Sequence, residues 1–525
     1  MNLSAAWKRA LRDQAARYVL LCTIDPAGRD PADDRHHLAL EPGVLRVATD
    51  AGAHPDAGSR YLPFWPYLTA WPPIVERLSL QERRAEIGQV QLRIGGDSGV
   101  SGVLARFGSG QAGTVRLDLW TPGLTLAEAL PLFGGPITNL TAGVYDDGIS
   151  ITAAGGDVAN TATLGGPIER EDFPDAPLDV IGVAQRQTIL GPFPERVVAH
   201  QIDAEGREFY LCDPPCTSTP DRVFRGGGDI TDLSTTVTDT TATGWQYSKI
   251  ILSEPIEQRI EGTTQEVAAS GGVGVVRNNA IEYLLSDVAG VRLTPRARLA
   301  VATLARDFPM SVIATSTGSA LDIVRQQLIP QTRFAFSMRR GMADLIDLLR
   351  PCSNITASVG SNLLFRVRTD DSVDTIDSVY NDFVILCGRD VQGSTSNTPA
   401  FIVAVRLSAD TAPADLVDVL RKSEALAGKR AVTVEAYDLA VAYDDSGNPV
   451  DCPAGKTLAL TMAELHALPR RTRTYATTWE FGLVTELGDC IRLTDPTEGL
   501  TAAEQTIVGR EITSTGVRLT MSGVQ

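Results

Sequence analysis

Nowhere does the chain run for the roughly 18 apolar residues that a membrane-spanning helix needs. Its longest candidates, such as Tyr18 to Ile24, are far shorter. An excess of basic residues is also lacking: 47 Lys+Arg stand against 64 Asp+Glu in 525 residues, a formal net charge of −17. That balance speaks against a broad nucleic-acid-binding surface, which needs a basic face. Cysteine is sparse and odd in number, at 7, so no disulfide framework is implied. The N-terminus lacks the apolar core of a secretory leader; Lys8, Arg9, Arg12, Asp13 and Arg17 interleave with alanines and predict an amphipathic helix. What is present is 43% hydrophobic and 21% charged, enough apolar material for globular cores. The length predicts about three or four domains in a soluble chain made in the cytoplasm.

Residues Ser4 to Leu21 show helical spacing, and Asp25 to His37 read as a polar loop. From Leu38 the period changes to two. Leu45-Arg46-Val47, Gln89 to Ile94 and Thr114 to Trp120 alternate in the manner of half-buried strands, and Asp146-Asp147-Gly148 predicts a hairpin turn. Gly165 to Thr264 stay β-like, with Arg225 to Gly228 and the threonine run Thr235 to Thr243 as loops or edge strands. Helices are predicted after Thr294-Pro295, over Ser319 to Leu328, over Met342 to Leu349 and over Thr411 to Ala427, the last with Pro413 early and Gly428 beyond its end. Asn362 to Arg368 and the last 50 or so residues return to strands. The expected class is α+β, predominantly antiparallel β, in several domains.

Chemistry is nearly present at several places. Gly96-Asp97-Ser98-Gly99 spells a serine-protease nucleophile loop, but His36, His37 and His54 precede it too closely to build the two barrels that present a triad. Cys212-Asp213-Pro214-Pro215-Cys216 offers half of a tetrahedral sulfur site, while Cys22, Cys352, Cys387, Cys452 and Cys490 are singletons in sequence. Buried free thiols are the simpler reading. His36-His37 among Asp30, Asp33 and Asp34 reads as a solvated loop, and His200 and His466 are isolated. Asp370, Asp371, Asp374 and Asp377 lack the glycine and terminal glutamate of a calcium loop. Gly271-Gly272-Val273-Gly274 lacks the continuation of a phosphate loop. The aromatic run Tyr61 to Trp71 could stack on sugars; packing beneath prolines is preferred, because aromatics are ordinary core material. No catalytic, cofactor-binding or metal-binding residue emerges, and neither a cofactor nor a bound metal is expected.

The order of these patterns resembles the siphophage baseplate hub, or tail-tip hub, family. The likeness runs through Ser59 to Pro63, Val75 to Leu80, Gly88 to Ile94, Asp118 to Trp120, Leu132 to Gly135 and Tyr145 to Ile151. It continues through Pro177 to Val183, Glu208 to Leu211, Arg222 to Gly227, Asn278 to Leu285, Met342 to Leu349 with Leu363 to Val367, Gly488 to Leu493, and Val508 to Ile512. Each piece is short and permissive, and the order of all of them makes the resemblance. It implies a helix and loop over 1–37, a tail-tube-like barrel over 38–170, a β-rich domain over 171–285, a mixed domain over 286–400, and a helix with a second barrel over 401–525. It further implies a non-enzymatic homotrimer of the virion. That ring would link a hexameric distal tail protein to a tail fibre or tip protein around the channel of DNA ejection, with the tape measure protein as a further candidate partner. An acidic lumen would repel sliding phosphates. Some tail-tip relatives hold an iron–sulfur cluster on four cysteines, which one close pair here does not match. The segments 88–120 contain no lysine to blunt a strand edge, so pairing between chains is expected there. The alternative reading is a tail-associated hydrolase or a sugar-binding receptor module.

Overall fold

The computed structural model describes residues 4–12, 16–26, 44–50, 53, 55–56, 64–95, 113–142, 148–155, 163–193, 197–225, 228–255, 267–270, 272–274, 279–314, 318–339, 341–349, 352, 356–359, 364–374, 376–390, 400–444 and 449–524. The expected class holds: the fold is mostly antiparallel β with several sheets and a few helices.

Strands β1 (Val19–Asp25), β2 (Leu45–Ala48), β3 (Ile74–Ser79), β4 (Arg84–Ile87), β5 (Val90–Ile94), β6 (Thr114–Trp120), β7 (Leu130–Ala142) and β8 (Ile149–Ala153) open the chain. Six of them form one sheet in the order β2-β1-β6-β7-β8-β5. The alternation in β5 is literal, with Val90, Leu92 and Ile94 buried and Gln91 and Arg93 exposed. The aromatic segment closes this sheet on itself. Val47 bridges Trp65 on one edge and Ile94 bridges Leu68 on the other. The Ala48 amide donates to the Trp65 carbonyl at 2.7 Å, and the Gly95 amide to the Tyr67 carbonyl at 2.8 Å. Phe64 and Leu68 turn into the core. For the described strands of 88–120, the expected pairing partners lie within the chain: β6 is interior and β5 is capped by residues 67–69, while 96–112 lie outside the described residues.

A second sheet closes near the C-terminus. Leu364–Val373, Arg470–Thr477, Gly516–Val524, Leu500–Thr513 and Cys490–Asp495 follow one another in antiparallel order. Thr356–Ser358 pairs in parallel with Cys490–Asp495, and Val359 bridges back to Leu364. The β3–β4 hairpin comes between strands of the first sheet in sequence but belongs to the second, where β3 pairs with Leu500–Thr513 in the register Ile74↔Ile512 to Arg77↔Gly509. Apolar residues of both sheets form one continuous core.

Between them in sequence comes a seven-stranded sheet that includes Val197–Gln201, Glu208–Cys212, Gln246–Leu252 and the edge strand Ser234–Thr240. It has its own small cores. A mixed layer follows, where helix Pro453–His466 packs on Asp382–Asp390 and Ala400–Leu407, helix Pro295–Asp307 packs on Met342–Asp347, and helices Ala320 to Leu328 and Ala414–Ala427 contribute to the same core.

Two helix expectations are corrected. The N-terminal helix spans Ala5–Arg12 only, and Val19 to Leu21 belong to β1, which is buried along its whole length. Met342–Asp347 is a strand, paired with Phe334–Arg339 in a hairpin and buried through its middle. A strand covered on both faces shows no two-residue period, so its apolar run passes for a helix. The helices Pro453–His466 and Trp479–Val484 were not foreseen.

Candidate functional site

The Cys212 to Cys216 loop gathers the most chemistry. Cys212 ends the central strand Glu208–Cys212 and is fully buried, while Cys216 is half-buried. The prolines between them turn the chain so that the two sulfurs stand 3.3 Å apart. The Cys216 amide donates to Ser248 Oγ at 2.9 Å on the adjacent strand. Behind the loop, the buried Tyr210 hydroxyl donates to the Asp213 carboxylate, and Gln187 Nε2 donates to the Leu211 carbonyl at 2.5 Å. Arg186 lies 4.9 Å over the Trp245 ring, which packs edge-on against Phe173 and Tyr210. Burial pushes the Asp213 carboxyl up. The hydrogen bond between the sulfurs pushes the Cys212 thiol up and draws the Cys216 thiol down.

The other cysteines are not isolated in space. Cys352 and Cys490, 138 residues apart, form a disulfide at the start of Cys490–Asp495. Cys387 and Cys452 are free thiols joined by a side-chain hydrogen bond, both fully buried. Cys22 is buried in the first core. Among the described residues, the one grouping of three or more ligating groups is Cys352, Cys490 and Glu504, in which the two sulfurs are bonded to each other.

The remaining sequence candidates disperse. Gly96 to Gly99, His36, His37, His54, Asp30, Asp33, Asp34, Tyr61 to Pro63 and Gly271 lie outside the described residues. His200 sits on Val197–Gln201 with its pKa lowered by burial. His466 ends its helix, and burial together with Arg83 and Arg470 brings it down to about 4, so it is neutral. Asp374 accepts from the Arg470 amide at 3.2 Å and Asp377 pairs with Arg430 at 2.8 Å; the side chains of Asp370 and Asp371 are not among those described. Trp71 packs 5.9 Å from Trp479, whereas Trp65 is 54% exposed and stacks on Tyr67.

A buried ion network, invisible in the sequence, sits where β3 meets the C-terminal sheet. Glu76 accepts from Arg510 Nε at 2.8 Å and faces Arg339 at 3.4 Å. Glu486 takes Arg339 at 3.2 Å and Arg296 at 3.5 Å. A groove of about 530 Å³ along the same sheet is lined by Arg77, Thr472, Thr474, Glu511 and Arg518, with no histidine or cysteine in its wall.

No helix among the described residues is long and apolar enough to cross a membrane. No family model matches the chain, and no curated protein does. Among solved structures, a chain of the "topological model of p2 virion baseplate in activated conformation" is similar over 65% of this chain and 90% of its own length. The identity there is 12% and the TM-score 0.15, values that establish no common fold.

Proposed function

We propose that this chain is a structural virion protein, the homotrimeric baseplate hub at the distal end of a phage tail, and has no enzymatic activity. The observation that supports the reading most is the presence of two half-barrel sheets in one chain, whose apolar residues share one continuous core. Three such chains offer six similar barrels to a sixfold neighbour and true threefold symmetry to whatever lies below, which is the symmetry conversion a hub performs. The resemblance in the order of sequence patterns supports the same assignment, and the net charge of −17 suits a channel through which DNA slides.

A cryo-EM map of the tail tip with this protein labelled tests it. Three copies and six barrels around the channel are expected; six copies in one ring sink the hub and favour a distal tail or tube protein. The hydrolase alternative is read on the same preparation, since cleavage of peptidoglycan or casein that Ser98→Ala abolishes overturns the non-enzymatic reading. For a sugar-binding module the informative variant is Trp65→Ala, because Trp71 is packed against Trp479.

A further inference from the structure

We propose that Cys212 and Cys216 form a reversible thiol–disulfide site, a two-electron couple that exchanges with small disulfides of the glutathione class. The sulfurs already stand 3.3 Å apart, against about 2.05 Å in a disulfide. A small rotation of either side chain closes the gap. The loop is held from both ends: Cys212 sits in the strand register opposite Ser248, and the Cys216 amide is bonded to the hydroxyl of that same serine. Among the described residues, no third ligating group lies near enough to join the pair as a metal ligand.

Exposure sets the order of events. Cys216 is the half-buried partner and Cys212 the buried one, so a reagent in solution meets Cys216 first. The Cys212 thiol beside it holds the Cys216 thiolate as a hydrogen-bond donor, and the thiolate is the attacking form. Cys216 gives its proton to water and attacks one sulfur of glutathione disulfide. The reagent's S–S bond breaks, one glutathione thiolate leaves and takes up a proton, and Cys216 carries the other half. Cys212 then loses its proton and attacks Cys216 Sγ, the mixed disulfide breaks, and the second glutathione leaves. Two cysteine thiols have given two electrons and two protons, and one glutathione disulfide has become two glutathiones.

The remaining pair serves as a control inside the same molecule. Cys387 and Cys452 are also adjacent but both are fully buried, as is Cys22, so no reagent reaches them while the chain is folded. The proposal thus predicts selectivity among near-identical chemical groups, set by access alone.

The folded full chain is equilibrated across glutathione ratios, quenched, alkylated in denaturant and digested with trypsin. Glu208 to Arg222 is a single tryptic peptide that carries Cys212 and Cys216 and no other cysteine. It is expected to lose both alkyl groups together, in one two-electron transition, and to appear two hydrogens below the mass of the dithiol peptide, while peptides with Cys22, Cys387 and Cys452 stay alkylated. In Cys212→Ser the same peptide is expected to accumulate one glutathione on Cys216, and Cys216→Ser to leave Cys212 unmodified. Full alkylation of both cysteines in glutathione disulfide alone overturns the proposal. So does a wild-type chain that stalls as the mixed disulfide, or a stoichiometric metal that shields both thiols. The wild-type measurement decides the matter even if a serine variant fails to fold.

Discussion

Glu486 shows what a single carboxyl does when the chain surrounds it with guanidinium groups. Burial works to raise its pKa, but Arg339, with Arg296 and Arg510 behind it, outweighs that and holds the group at about 2. An unfolded glutamate titrates near 4.3. Because the folded value is the lower one, Glu486 adds stability at neutral pH, and the gain is lost as pH falls from about 4.3 through 2. The contribution is on the order of 3 kcal/mol. Urea unfolding of the wild type and Glu486→Gln at pH 7, 5 and 3 is expected to show a gap that is nearly the same at pH 7 and 5 and falls to about half at pH 3. A gap that does not change with pH contradicts the assignment. None of this network could be read from the sequence, since Glu76 and Arg510 are 434 residues apart and each looks like an ordinary strand-face charge. The Cys212–Cys216 pair was legible because its members are four residues apart. The Cys352–Cys490 disulfide spans 138 residues and left no local signal.

At the scale of elements, legibility followed how far each one relies on its own residues. Helix Pro295–Asp307 was readable because its start is written locally: Thr294 Oγ accepts from the Ala297 amide at 3.1 Å, and proline follows at the first turn. Helix Ala414–Ala427 was readable for the same reason, with Pro413 before it and Gly428, at φ +72°, after it. The strand Met342–Asp347 was not, because its identity comes from its partner Phe334–Arg339 rather than from its own alternation. The two meet at Thr294, whose hydroxyl also donates to the buried Asp344 of that strand at 2.6 Å. Thr294→Ala therefore removes a cap and, in the same step, the hydroxyl donor of buried Asp344, which keeps Arg296 at 3.8 Å. A loss of about 1–3 kcal/mol is expected from denaturant unfolding. Thr294→Ser, which keeps the hydroxyl, is expected to recover most of it. A loss below a few tenths of a kcal/mol in the alanine variant means that neither bond matters.

For the whole molecule, the arrangement of cores determines which parts must come apart together. The first closed sheet, built from β1, β2 and β5 to β8, and the second, built around Arg470–Thr477 and Gly516–Val524, contribute to one continuous core. The β3–β4 hairpin, which runs directly into β5 of the first sheet, is held in the second by backbone pairing with Leu500–Thr513, and the Glu76–Arg510 pair leaves a buried charge unmatched if that pairing opens. The seven-stranded sheet keeps separate cores around Ile250 and around Tyr210 with Tyr247. Regions that share a core unfold as one cooperative unit, and regions with separate cores need not. Native-state hydrogen exchange followed by mass spectrometry is therefore expected to give one opening free energy for peptides from 114–142 and from 500–524, although they stand at opposite ends of the chain. Peptides from 208–212 and 246–252 are expected to open at a different denaturant concentration. Ile250→Ala, which removes a buried side chain from the middle sheet alone, should lower that second value by about 2–5 kcal/mol and leave the first in place. If the N-terminal sheet instead opens alone while 500–524 stays protected, the shared core is not a cooperative unit, and the hairpin is a tether between two independent barrels.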